Sequence, residues 1–206
     1  MLATMAERAR DLDRLLTFVD AIVAIAITLL VLPLVDVAGQ LDDASVADLL
    51  AEHSAELLGF FLSFAVIAQL WTSHHRIVQG QVRQGRGMVW LTLAWALTIV
   101  FLPFPTELVA EAPNEPATKV LYMGTMATSS AILALIALVL SHDPGLSDTD
   151  ERPDPLVAAA TSLAFLIALA VSVAVPATSY WPLLLLLLTD PVVNRYRATK
   201  TRRRRT

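Results

Sequence analysis

The sequence predicts an all-α polytopic membrane protein, and three observations carry that prediction. Apolar residues make up 56% of the 206, they come in long blocks, and the mean hydropathy is +0.62. The longer blocks reach the ~20 residues needed to cross the hydrocarbon core of a bilayer. The cations also alternate: 14 of the 15 Lys and Arg fall in every second polar segment, and the segments between carry almost none. A water-soluble domain has no reason for either blocks or alternation.

Six spans follow in order, at 15–35, 56–78, 87–105, 118–140, 156–175 and 178–193. Together they form a single six-helix transmembrane domain over 1–206. The sixth, "YWPLLLLLLTDPVV", is short and fits a tilted, partial or protein-packed helix. Pro33, Pro103, Pro105, Pro176 and Pro182 lie near predicted span ends, where a missing N–H costs least. The first apolar block is too long for the core of a cleavable signal, and the residues before it are charged.

Charge sets the orientation. Residues 1–14 hold Arg8, Arg10 and Arg14, and the link after the second span holds Arg76, Arg83 and Arg86. Arg152 lies in the link after the fourth span, and the tail at 194–206, "NRYRATKTRRRRT", holds seven more cations. The links after the first and third spans are acidic, with Asp36, Asp42, Asp43, Asp48, Glu52, Glu56, Glu107, Glu111 and Glu115. By the positive-inside rule both termini are cytoplasmic, in the cell membrane. The basic tail beside a final span reads as a topology signal and a contact for anionic lipids rather than nucleic acid. In the outer acidic link at 36–55, "DASVADLLAEH" has helical spacing and predicts a short surface helix. The Pro-, Asp- and Ser-rich "SHDPGLSDTDERPDP" predicts a loop.

The first span, "RLLTFVDAIVAIAITLLVLPL", carries the chemistry. On a helical wheel with Ile25 at zero, Leu29 falls about 40° to one side and Leu32 and Thr28 about 20° and 60° to the other. These four form one stripe through the membrane, which fits a pore, a lipid-facing surface or helix packing. Asp20 falls on the opposite side. A carboxylate at membrane depth needs hydrogen-bond donors from a neighbouring helix. The end of the second span, "QLWTSHHRIV", offers them at the same depth, in Trp71, His74 and His75, with Arg76 and Arg14 at the interface. Trp71 shares a helix face with both histidines. Adjacent histidines point about 100° apart on a helix, so a shared metal is disfavoured and no metal site is expected. Cysteine is absent, which removes disulfides, thiol chemistry and Cys metal sites.

These residues resemble the endosomal and lysosomal potassium channel family, in its bacterial branch with one six-helix repeat per chain. Arg14, Phe18 and Asp20 match that family's R-x-x-x-F-S-D opening, and Ala24 to Leu30 match the helix that follows. "SFAVIAQLWTSHHRIV" is similar to its second helix, with a W-x-x-H-H-R ending. Val19 stands where the family has Ser, and Ala21 where it usually has Gly. The likeness covers about the first 80 residues. It implies a homotetramer whose first helices line the pore, with Ile25, Leu29 and Leu32 at the constriction and Thr28 beside them. It also implies a supporting network of Arg14, Phe18, Asp20, Trp71, His74, His75 and Arg76. The permeant ion would be K+, with no cofactor. No T-V-G-Y-G segment is present, so selectivity would need a device other than a carbonyl-ring filter.

Two other classes fit less well. A secondary transporter usually has paired broken helices or internal repeats, and neither is evident in the sequence. A proton-permeable channel is a further alternative. A membrane-embedded enzyme needs ionisable residues gathered at one depth, and only Asp20 with the histidines offers this, without a nucleophile and base.

Overall fold

The computed structural model describes residues 2–39, 45–79, 81, 85–142, 163 and 167, and they are all-helical. The predicted spans at 156–175 and 178–193, the loop after 142 and the tail at 194–206 lie outside the described residues, apart from Leu163 and Ile167. The helices run α1 (Leu2–Leu29), α2 (Leu32–Ala38), α3 (Val46–Glu52), α4 (Ser54–Val78), α5 (Arg86–Phe101), α6 (Pro103–Glu111) and α7 (Pro116–His142). Four stretches are long and apolar enough to cross a membrane: Arg10–Ala38, Ser54–Val78, Gly87–Glu111 and Pro116–His142. Two of them are interrupted. The first breaks at Leu30 and Val31, before Pro33. The third breaks at Leu102, before Pro103.

Three boundaries differ from the sequence expectation. The first helix begins at Leu2, not at residue 15, so the charged N-terminal segment continues the span as helix. The first span is not one rod over 15–35. Pro33 cannot supply the N–H that would carry the ladder through, so a new short helix starts at Leu32. The third runs to Glu111 rather than ending at 105, because Pro103 and Pro105 occupy the first turn of a new helix, where a missing N–H is tolerated. Between the first two spans, α3 is capped by Ser45, whose hydroxyl accepts the Asp48 N–H at 3.2 Å.

One apolar core joins the spans. It includes Val19, Val23 and Ala26 from α1, Leu30 at the break after it, Val66, Ile67 and Leu70 from α4, Trp95 and Ile99 from α5, and Met123, Met126 and Ile136 from α7. Inside it runs a chain of hydroxyls. Thr106 Oγ1 donates to the Leu102 carbonyl at 2.8 Å. Ser63 Oγ lies 2.8 Å from Thr106 Oγ1 and 2.7 Å from Tyr122 Oη. The single Thr106 proton is committed, so Ser63 donates to Thr106 and Tyr122 donates to Ser63. The chain ties α4, α6 and α7 together at membrane depth, where water cannot satisfy these groups.

Candidate functional site

The first helix has two unlike faces. Leu12, Val19, Val23 and Ala26 are buried, with Leu30 just past its end, and every one is apolar. The opposite face is open and mixed, with Arg14, Thr17, Ala21, Ala24 and Thr28 exposed, and Asp20 is exposed at its edge, turned away from Ile25. Along one side of that open face stand Ile25, Leu29 and Leu32, which are 59%, 40% and 54% exposed. The continuation on α2 carries exposed Val35 and Asp36. Ile27, on the other side of the helix, packs against the core. The Thr28 hydroxyl donates to the Ile25 carbonyl at 2.8 Å. Its proton is therefore used within the helix, and its lone pairs face outward.

Asp20 is exposed on the protomer surface, not buried, and it is paired. Trp71 Nε1 donates to Asp20 Oδ1 at 2.8 Å, which fastens α1 to α4. His75 stacks on Trp71 with ring centroids 5.6 Å apart. The two histidines divide, as their 100° offset requires. His75 is exposed, whereas His74 is 2% exposed and lies flat on Trp95 of α5, with centroids 4.2 Å apart and planes 3° apart. So Trp71 shares a stack with His75 only. Arg76 donates from Nε to the Thr72 carbonyl and from Nη2 to Ser73 Oγ, both at 3.3 Å. Arg14 and Phe18 are exposed, six and two residues before Asp20. Among the described residues no group of three or more His, Cys, Asp or Glu could hold a metal ion.

Two features escape sequence reasoning. Trp95 joins the set through His74, and only a tryptophan in the third span at the right depth hinted at it. Val19, in the position where the family has Ser, is fully buried in the α1 core. A hydroxyl there would face apolar neighbours, so valine suits this packing.

At the other end of the bundle the surface is acidic. His53 Nδ1 and Glu56 Oε1 lie 3.0 Å apart. Glu107 lies within electrostatic reach of Glu111, Asp36 and Glu56. Asp36 belongs both to this group and to the continuation of the α1 stripe.

Comparisons with known proteins agree on one family. The family model described as the endosomal/lysosomal potassium channel TMEM175 matches residues 14–103. A Danio rerio protein named endosomal/lysosomal proton channel TMEM175 is 29% identical over 136 residues, 66% of this chain. The chain spans only 26% of that relative's length. A protein of Chamaesiphon minutus named a potassium channel is 30% identical over 133 residues, 64% of either chain. The crystal structure of a lysosomal potassium-selective channel TMEM175 homolog from Chamaesiphon minutus matches with a TM-score of 0.61. That match covers 91% of this chain and 98% of the other, at 22% identity, and speaks for the fold. The family match opens at Arg14 and runs through α1, α4 and α5, so this part of the chain is similar to the TMEM175 channels.

Proposed function

We propose that the chain forms a potassium-permeable channel of the cell membrane, a homotetramer whose pore is lined by α1. The observation that carries this reading is the inverted polarity of α1. Its buried face is wholly apolar, and its open face holds an arginine, two threonines and, at its edge, an aspartate. Lipid solvates such a face poorly, so it belongs against water or other protein. One helix per chain cannot enclose a pore, whereas four copies around an axis can. Potassium is favoured over protons because the bacterial relative matched over most of its length is named for potassium.

Ile25, Leu29 and Leu32 then form stacked aliphatic rings at the constriction, and Thr28 sets a polar level beside them. The barrier to an ion there is chiefly the cost of leaving water. Asp20, Trp71 and His75, with His74 on Trp95, hold α1 against α4 and α5 at the basic end. Arg14, Phe18 and Arg76 flank that joint. Both termini are cytoplasmic, the acidic end faces outward, and the basic tail meets anionic lipid. The test is current from purified protein in a planar bilayer, with reversal potentials in asymmetric potassium and sodium. A potassium-biased reversal potential supports the reading. Electroneutral exchange without current would replace it with a transporter.

A further inference from the structure

Toward the acidic end of the bundle, the buried hydroxyls of Ser63, Thr106 and Tyr122 bond to one another and to a carbonyl. Toward the basic end, three buried side-chain atoms have no hydrogen-bond partner among the described residues: Nε2 of His74, Nε1 of Trp95 and Oγ of Ser129. They come from α4, α5 and α7, one from each helix. A buried polar atom left unpaired loses its hydration and gains nothing in return.

The three atoms belong to one place. His74 and Trp95 lie flat on each other, with ring planes 3° apart, so both nitrogens open on the rim of one stack. Thr128 of α7 lines a groove with Leu97 and Thr98 of α5. Ser129 follows Thr128, and Trp95 stands just before Leu97, so the two lie within about one helical turn in depth. Both are fully buried. The Ser129 hydroxyl is also unlike its neighbours on α7. Thr125 and Thr128 donate to the Leu121 and Gly124 carbonyls, and Ser129 makes no such bond.

The two rings cannot satisfy each other. An indole N–H and an imidazole lone pair both lie in the plane of their ring, and in a parallel stack with centroids 4.2 Å apart they point past one another. A shared third molecule can serve all three atoms. The Trp95 N–H is a donor only, a neutral imidazole accepts at Nε2, and a hydroxyl accepts as well. The molecule must therefore accept one bond and donate two. Water does this, and a buried water makes about three hydrogen bonds to groups otherwise unpaired. A metal cation does not fit, because the indole N–H has no lone pair to offer it.

We infer that one enclosed water molecule occupies the rim of the His74–Trp95 stack, where it accepts the Trp95 N–H and donates to His74 Nε2 and Ser129 Oγ. It ties α4, α5 and α7 together as the hydroxyl chain ties α4, α6 and α7. It also sets the imidazole proton on Nδ1, since Nε2 is the acceptor. Bulk water does not reach this depth, so the molecule is enclosed as the helices pack. The site does not depend on which face of α1 meets ions.

The experiment is X-ray pulse radiolysis of the purified full chain in detergent, read by mass spectrometry. Radiolysis makes hydroxyl radicals from water wherever it is bound, so a buried side chain is oxidised where water touches it. Met123 and Met126, both fully buried in the apolar core, are the dry controls. Trp95 should be oxidised several-fold faster than either. Radicals made from peroxide in bulk solvent should leave Trp95 as unmodified as the two methionines. A Trp95 rate no higher than that of Met126 in the pulse overturns the site. Equal labelling of Trp95 by both radical sources also overturns it, because that means open access rather than an enclosed water. Ser129→Val fills the space and removes one partner, so the Trp95 rate should fall to that of Met126, and an undiminished rate overturns the site. If that variant does not fold, Trp95→Phe keeps the stack without the N–H, and His74 takes the reading. Its oxidation should fall several-fold from wild type, and an unchanged rate overturns the site.

Discussion

Helices α1 and α7 are similar in length and both are apolar enough to span a membrane, yet they are built in opposite senses. About 22% of the apolar stretch within Arg10–Ala38, which α1 shares with α2, is buried in the protomer, against 50% for α7. In α7 the polar groups point inward: Thr118, Lys119, Ser129 and Ser130 are all buried. Its outer face shows Val120, Leu121, Leu135 and Leu138. The half-buried Thr125 and the exposed Thr128 spend their hydroxyls on the Leu121 and Gly124 carbonyls. In α1 the residues that point inward are apolar, and the ionisable groups are open beside exposed Phe18, Ile25 and Leu29. Lipid is the natural solvent for the outer face of α7 but not for that of α1. The same composition thus serves two roles, and what separates them is the face that holds the polar atoms.

The sharpest way to break this comparison is to place a charge on each face. Leu135 and Leu29 are 44% and 40% exposed, a matched pair. Leu135→Arg should cost up to about 2.5–3.5 kcal/mol of membrane insertion and reduce folded protein severely. Leu29→Arg on a watered face should insert normally and suppress cation current. Yields measured by size-exclusion chromatography in detergent check both. Equal losses at the two positions would mean that α1 faces lipid after all.

Next in size is the proposed constriction. Leu29→Asn should wet the narrow point, raise current and lower potassium preference. Thr28→Val keeps the shape and should lower preference with little change in conductance. Single-channel recording with reversal potentials separates the two effects.

A smaller effect is expected at the joint between α1 and α4. Asp20→Ala leaves the Trp71 N–H without its acceptor, a loss of about 1–3 kcal/mol. Assembly should suffer more than selectivity. A stable tetramer with altered ion preference would instead put Asp20 in the ion path. Comparable in kind is Tyr122→Phe, which removes one link of the buried hydroxyl chain at about 1 kcal/mol. It should lower the thermal midpoint and leave permeation unchanged.

The four described spans were legible in the sequence because hydropathy depends only on composition over a window, and lipid demands a fixed length. Asp20 was legible as a group in need of a donor, for the same reason of solvation. The choice of Trp71 over a histidine was not, since periodicity gives angles on one helix and says nothing about what the neighbouring helix presents. The flat stack of His74 on Trp95 was hidden for that reason too. Pro33 was read as a harmless span end. Its effect depends on whether helix continues beyond it, and α2 does continue. The same blindness shortened the third span, where Pro103 and Pro105 begin a helix rather than end one.

The central claim is that the open face of α1 meets the ion path while the outer face of α7 meets lipid. With no native cysteine in the chain, single cysteines at Leu29 and Leu135 can report it directly. The measurement is bilayer current during addition of a charged, membrane-impermeant thiol reagent. Rapid, irreversible block of the Leu29→Cys channel is expected, with no change in Leu135→Cys. Block at Leu135→Cys with Leu29→Cys untouched would contradict it.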